Sequence, residues 1–488
     1  MRILYIDCDT LRPDHLGCYG YHRDTSPNID RIASEGVHFT NYYASDAPCL
    51  PSRCAMMNSR FGIHTGVVGH GGTAADLRLE GESRRFINTL ASAPWMRQMK
   101  QAGYRTVTVS PFAERHGAWW FYNGFAEMMN PGKGGMERAD DVFPHAMDWI
   151  RRNATEDDWF LHVNFWDPHT PYRSPLEFGD PFADKPLPAW HTEDVRQRNW
   201  DSYGPHSARE PWGYNCDIGD RAERFPRVPN TIDSMDAYRR WINGYDTGIR
   251  YMDDHIGRLL EELDRQGVLE DMAIIVSADH GENQGELNVY GDHQTADHIT
   301  SRVPLIIRWP GVAPGGAVNE GLLYNVDLAP TIMDLVEGKA APNWDGVSFA
   351  AAVHGEPFAG HEALVVSQCA WSCQRAVRWR DWILIRTTHD GLKAFPEVML
   401  FDLAKDPHEV TNLAEQKPET VNEGLALLER WTTDMMKSSD CAEDPLWRVM
   451  REGGPLHTRG QKAEYCAYLR EQGRGHHAED IERRHPDE

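Results

Sequence analysis

Short apolar runs recur along this chain, separated by stretches in which the apolar positions fall at helical spacing. Residues 3–6, 106–109, 160–165, 273–276 and 305–307 are the clearest runs. Runs this short and this apolar read as strands covered on both faces, and their alternation with helical segments predicts an α/β fold: a mostly parallel sheet sandwiched by helices. A long helix is expected over about 234–266, where Ile242, Tyr245, Ile249, Met252, Ile256 and Leu260 form a core-facing stripe. From about residue 363 the texture changes. Strand-like segments at 374–378 and 382–386 precede a helical stretch around 421–436. The expected organisation is therefore a catalytic α/β domain over 1–362 and a smaller C-terminal α+β subdomain over 363–488, with an antiparallel sheet, a helix and a polar tail. Beyond about Gly473 the tail is expected to be loosely ordered. Residues 182–230 break the sheet pattern with an insertion carrying Trp190, Trp200, Tyr203 and Trp212. It reads either as a packed surface excursion or as a pocket wall whose aromatic faces suit a sugar or aryl group.

Composition narrows the classes. Hydrophobic residues make up 41% of the 488 and charged ones 25%, which fits a folded enzyme and gives no case for pervasive disorder. A formal net charge of -24 excludes a nucleic-acid partner as the expectation, because phosphate binding wants a basic surface. Any anion site must be positive locally. No run approaches the roughly 18 apolar residues of a membrane span. Nine scattered cysteines read as reduced thiols, and the opening strand leaves no room for a leader, so a cytoplasmic location is expected.

The candidate chemistry follows the strands, where open α/β folds bind ligands. Asp7-Cys8-Asp9-Thr10 follows the first run and Ser277-Ala278-Asp279-His280-Gly281-Glu282 a later one. A carboxylate cluster favours a hard divalent cation such as calcium or magnesium, and His280 would also accept manganese or zinc. Asp167-Pro168-His169-Thr170-Pro171-Tyr172 presents a histidine between two prolines, a rigid mount for proton transfer. Cys49-Leu50-Pro51-Ser52-Arg53 places a cysteine at the start of an expected helix, where free amides and the dipole favour an anion.

These segments together resemble the formylglycine-dependent sulfatases of the alkaline phosphatase superfamily, in which a Cys-x-Pro-Ser-Arg cysteine is oxidised to an aldehyde. The likeness extends through Thr25-Ser26-Pro27-Asn28-Ile29-Asp30-Arg31-Ile32-Ala33 and Gly36-Val37-His38-Phe39-Thr40-Asn41, and reaches Leu400-Phe401-Asp402-Leu403 and Asn412-Leu413-Ala414 near the end. It implies an alkaline-phosphatase-like sheet, a metal shell of Asp9, Asp279, His280 and the converted Cys49, and a formylglycine-generating enzyme as maturation partner. Calcium is the leading ion and manganese the next. Three departures stand out. Thr10 occupies the place of a second aspartate, with Asp7 as a substitute. Met57-Asn58-Ser59-Arg60 stands where Leu-Thr-Gly-Arg is usual. Both usual sulfate-binding lysines are missing, with His116 (beside Arg115) and His293 in their places and His298 as a weaker candidate.

What the resemblance implies is hydrolysis of a sulfate ester, with a carbohydrate sulfate or other sulfated small molecule as substrate. The hydrated aldehyde at position 49 attacks sulfur, Arg53 and the cation offset oxygen charge, and His169 protonates the leaving oxygen. Two rivals stand beside this reading: a phosphonate monoester or phosphodiester hydrolase using the same site, and a non-catalytic glycan-binding protein that kept the scaffold.

Overall fold

The structure is a computed structural model describing residues 1–71, 75, 93–214, 219–439, 441–486 and 488. In chain order the strands are β1 (Arg2–Cys8), β2 (Val37–Tyr43), β3 (Asp46–Ala47), β4 (Arg105–Val109), β5 (Glu127–Met129), β6 (Trp159–Phe165), β7 (Ala273–Ala278) and β8 (Asn283–Gln284). They continue with β9 (Tyr290–Asp292), β10 (Arg302–Arg308), β11 (Ala317–Asn319), β12 (Leu323–Tyr324), β13 (Ala363–Gln368), β14 (Cys373–Trp379), β15 (Trp382–His389) and β16 (Val398–Asp402).

The large sheet runs β11-β2-β10-β7-β1-β6-β4-β5, with β12 also on β2. All its pairings are parallel except those of β10, which lies antiparallel to both β2 and β7. Its central strands are buried along almost their whole length, as their unbroken apolar character requires. The helix Met235–Arg265 packs across one face, capped by Ser234, whose hydroxyl accepts the Ala237 amide at 3.2 Å. The expected stripe Ile242, Tyr245, Ile249, Met252, Ile256 and Leu260 is buried in the main core.

The second sheet, β16-β15-β14-β13-β3, is antiparallel apart from β3 on β13. Because β3 ends one residue before Pro48, the segment carrying Cys49 is stitched to the second sheet as well as to the first. Helix Pro418–Ser438 covers this sheet, burying Leu428 against Val365, Val377 and Leu384.

One expectation changes. The tail beyond Gly473 is an ordered helix, Gly475–Arg484, whose Ala478 and Ile481 pack on Tyr465, Cys466 and Leu469. His485 then donates from both ring nitrogens, to Asp390 at 2.8 Å and Glu488 at 3.1 Å, and these partners lift its pKa, against burial, to about 9. Polar composition hid this docking because only two apolar residues carry it. In the insertion, apart from 215–218, which lie outside the described residues, the large aromatics are used in packing. Tyr203 and Trp212 are buried, Trp190 stacks on His408 at 4.3 Å, and Trp200 lies under Arg209. Trp190 and Tyr203 also line a cavity with Asn199, Glu286 and Phe395.

Candidate active site

Three neighbouring strands, β6, β1 and β7, deliver their following residues to one edge of the sheet. Asp9 comes one residue after β1, Asp279 one after β7, and the 166–172 loop after β6. The Asp9 amide donates to the Phe165 carbonyl at 2.9 Å, which locks the first to the third. Opposite stands helix Cys49–Asn58, every residue of it buried. Ser52 Oγ donates to the Asp279 carbonyl at 2.5 Å and Asn325 Nδ2 donates to the Ser52 carbonyl at 3.3 Å, so the first turn is fixed against the end of β7. At the other end Ser59 takes φ 50°, the left-handed conformation glycine would adopt freely, and its hydroxyl donates to the Val326 carbonyl at 2.7 Å.

Asp9, Cys49, Asp279 and His280 offer ligand atoms that all lie within 4.8 Å of one another, and every one is buried. His280 Nδ1 donates to the Gly281 carbonyl at 2.8 Å, so Nε2 keeps its lone pair and points it at Cys49 Sγ, 3.1 Å away. Burial drops the His280 pKa to about 3, which leaves the ring neutral. Both Asp9 carboxylate oxygens are buried without a hydrogen-bond partner. Burial, then Asp279, pushes the Asp9 pKa well up, and burial lifts Asp279 to about 6 against the pull of Arg53. Orphaned carboxylate oxygens beside a neutral imidazole lone pair are a donor set that fits a divalent cation.

Arg53 is the counter-charge. Its Nε donates to Asp7 at 3.0 Å and its Nη1 to Asp279 at 2.5 Å, while Nη2 lies 3.0 Å from Asp9 without hydrogen-bond alignment. Its guanidinium also sits 5.0 Å over the Phe112 ring. In this arrangement Arg53 orients the carboxylates rather than reaching for substrate directly. Asp7 Oδ2 is taken by Arg53 and by His162 Nε2 at 3.2 Å, while its Oδ1 is buried without a partner; Asp7 lies outside the four-residue group. The Thr10 hydroxyl is buried and unpartnered, and its amide donates to Asp279 at 3.2 Å.

Histidines surround the thiol. The His293 ring lies 4.2 Å from His280 and 5.7 Å from His169. His169 is stacked on Trp166 at 5.8 Å, and its Nδ1 donates to the Thr170 carbonyl at 2.5 Å. Its loop is anchored by Glu282, which accepts the Thr170 amide at 3.1 Å and the Tyr172 hydroxyl at 2.8 Å. His116 follows the short helix Phe112–Arg115 and packs on Phe112. His116 Nε2 and His293 Nδ1 are buried without partners. Burial holds all three histidines well below the usual imidazole range, assisted by Arg115 at His116 and by neighbouring imidazoles at His169 and His293; His293 falls to about 3. The structure thus brings Asp9, Cys49, Arg53, His116, His169, Asp279, His280 and His293 together. His298 is elsewhere, with its Nδ1 2.9 Å from the Tyr43 hydroxyl.

Sequence reasoning missed four rings. His70 lies 5.1 Å from His116 and 6.4 Å from His293, and its Nδ1 meets His457 Nε2 at 2.9 Å. His457 stacks on Trp371 at 4.5 Å, and Trp371 meets His206 of the insertion at 5.1 Å. The only advance signal was Gly69 and Gly71 flanking His70.

The family model described as Sulfatase matches residues 2–338, and that described as N-sulphoglucosamine sulphohydrolase, C-terminal, matches 285–430. The choline-sulfatase of Rhizobium meliloti (strain 1021) is 27% identical over 440 residues, covering 80% of this chain and 78% of its own. A solved structure of a protein in complex with its substrate D-glucosamine-2-N,6-O-disulfate has a TM-score of 0.72 at 19% identity, covering 91% of this chain and 99% of that one. The phosphonate monoester hydrolase of Silicibacter pomeroyi has a TM-score of 0.68 at 22% identity, covering 90% and 96%. At these identities the two structural likenesses speak to the fold.

Proposed function

This chain belongs to the sulfatase family of the alkaline phosphatase superfamily and is a sulfuric ester hydrolase, and on that premise we propose that it cleaves a carbohydrate sulfate through a formylglycine made from Cys49. The observation that carries the reading is the buried ring of Asp9, Cys49, Asp279 and His280, with His280 Nε2 3.1 Å from the sulfur. As a plain thiol Cys49 is a poor nucleophile, because burial and the Asp9 and Asp279 charges push its pKa well up. Conversion by a formylglycine-generating enzyme removes that obstacle.

Asp9, Asp279 and His280 would hold the divalent cation, which we assign as calcium, with manganese the other outcome of metal analysis. When bound, the cation supplies Lewis-acid charge and the hydrated aldehyde a hydroxyl nucleophile. Arg53 aligns Asp9 and Asp279. The free nitrogens of His116 and His293 donate to the non-bridging oxygens once protonated, which the arriving anion promotes by raising their pKa. His169 has Nδ1–H committed to Thr170, so the proton for the leaving oxygen is held at Nε2. The same anion favours that imidazolium.

The carbohydrate assignment is supported by the disulfated glucosamine named for the structural neighbour and by the Trp371–His457 platform beside His70. The described cysteines are all free thiols, which supports a reducing, cytoplasmic compartment. No described helix is long and apolar enough to cross a membrane.

Peptide mass across residue 49 together with metal analysis tests the site, and parallel assays with glucosamine 6-sulfate, an aryl phosphonate and a phosphodiester test the reaction. Faster turnover of the phosphorus esters would replace the sulfate reading. Sugar-sulfate binding without release, by aldehyde-bearing, metal-loaded protein, would mark a glycan-binding protein instead.

A further inference from the structure

Arg173 lies four residues beyond His169, and its side chain is only 8% exposed. Nη1 donates to the Gly135 carbonyl at 3.3 Å, but Nε and Nη2 are closed to solvent and have no partner. The carboxylates nearest it in effect, Asp167, Asp9 and Glu137, form no ion pair with it. Arg173 follows His169, the residue assigned to the leaving oxygen, on the same loop after β6.

Arg115 approaches the same point from the other direction. Gly135 holds φ 88°, and a Cβ there would meet Arg115 Cδ at 2.5 Å and Nε at 2.7 Å, so the Arg115 stem runs against the residue whose carbonyl receives Arg173. Arg115 is exposed, makes no ion pair among the described residues, and immediately precedes His116. Two guanidinium groups thus flank one glycine, each on a segment that delivers a histidine to the sulfate pocket. Among the described residues neither guanidinium has a carboxylate partner, and Arg173, whose Nε and Nη2 are buried, calls for an anion from outside.

We propose that Arg173 and Arg115 form a second anion subsite on the leaving-group side, taking a carboxylate or a second sulfate carried by the substrate. The inference rests on the sulfatase reading and deepens it: the preferred esters are glycan sulfates with a second negative group. Planar guanidinium forks suit either oxyanion, and Arg173 is the buried anchor while Arg115 closes the rim.

The test is equilibrium binding to metal-loaded protein carrying Cys49→Ala, which binds ester without cleaving it. Three probes are used: glucosamine 6-sulfate, glucosamine 2-N,6-O-disulfate, and a 6-sulfated disaccharide bearing a uronate. One of the doubly charged probes is expected to bind about tenfold tighter than the monosulfate, and which one identifies the oxyanion. Arg173→Gln should reduce that advantage to less than about threefold while leaving monosulfate affinity within about twofold, and Arg115→Gln, on the surface, should reduce it at least about twofold even if the buried variant fails to fold. Equal affinity for all three probes, or an advantage that survives both substitutions, overturns the subsite alone. Failure to bind any of them overturns the carbohydrate-sulfate reading, and the subsite with it.

Discussion

His280 Nε2 faces Cys49 Sγ across 3.1 Å while its other nitrogen is tied to the Gly281 carbonyl. One backbone hydrogen bond therefore decides which imidazole nitrogen is available to the site. The sulfur it faces is kept neutral by burial and by Asp9 and Asp279.

Unconverted Cys49 should consequently resist alkylation. At pH 8, iodoacetamide is expected to label the half-buried Cys441 well before Cys49 in folded protein, read by peptide mass. Rapid labelling of Cys49 would mean that the thiol is ionised and the pocket open. Protein left unconverted should show less than about one hundredth of the turnover of aldehyde-bearing protein, since the thiol lacks the hydroxyl chemistry.

Glu282 acts through the His169 loop. Its two oxygens accept Thr170 N–H and Tyr172 O–H, and Glu282→Gln can satisfy only one of these while offering a donor to the other. The expected result is a fall in kcat of about tenfold with KM little changed, and a loss that grows as the leaving alcohol becomes less acidic. A uniform loss across leaving groups would show that the loop does not serve proton transfer.

Replacing constitutive lysine charges with His116 and His293 makes anion binding proton-linked. Burial lowers both pKa values, so protonation accompanies the anion and affinity should weaken as pH rises through neutrality. Calorimetry in buffers of different ionisation enthalpy is expected to register proton uptake. His116→Ala or His293→Ala should reduce turnover by about an order of magnitude or more and flatten this dependence. Near-native kinetics in both variants would remove them from the site.

Lys393 is 2% exposed, donates to the Pro205 carbonyl, and burial brings its pKa down to about 7. Between pH 7 and about 10.5 the unfolded chain holds a proton there that the folded one does not, so stability attributable to this group rises with pH. Relative to Lys393→Met, the parent protein should gain up to roughly 1.4 kcal/mol per pH unit across that window in urea unfolding. Parallel stability profiles would show that Lys393 stays charged in the folded protein.

Much of the sheet and of the ring formed by Asp9, Cys49, Asp279 and His280 was legible because it depends on local order. Ile3–Ile6 and Ala273–Val276 declare buried parallel strands, and the acids directly after them are delivered to the same edge by topology alone. Cys49 was legible through its neighbours. His70 and His457 were not, since they are 387 positions apart and meet only because the C-terminal segment folds back. Arg173 was also inconspicuous, because what sets it apart is a lack of partners among the described residues, which no motif can record. The docking of Gly475–Arg484 escaped for a related reason: Ala478 and Ile481 are too sparse a pattern amid charges.

The contact between His70 and His457 has an evolutionary reading. His457 lies past residue 430, where the second family match stops, while the residues around Cys49 fall inside the first. One histidine beside the reaction centre is thus written on a stretch of polypeptide apart from the one that carries Cys49. A descendant could acquire a new preference among esters by revising its closing segment, and inherit the bond-breaking apparatus unaltered.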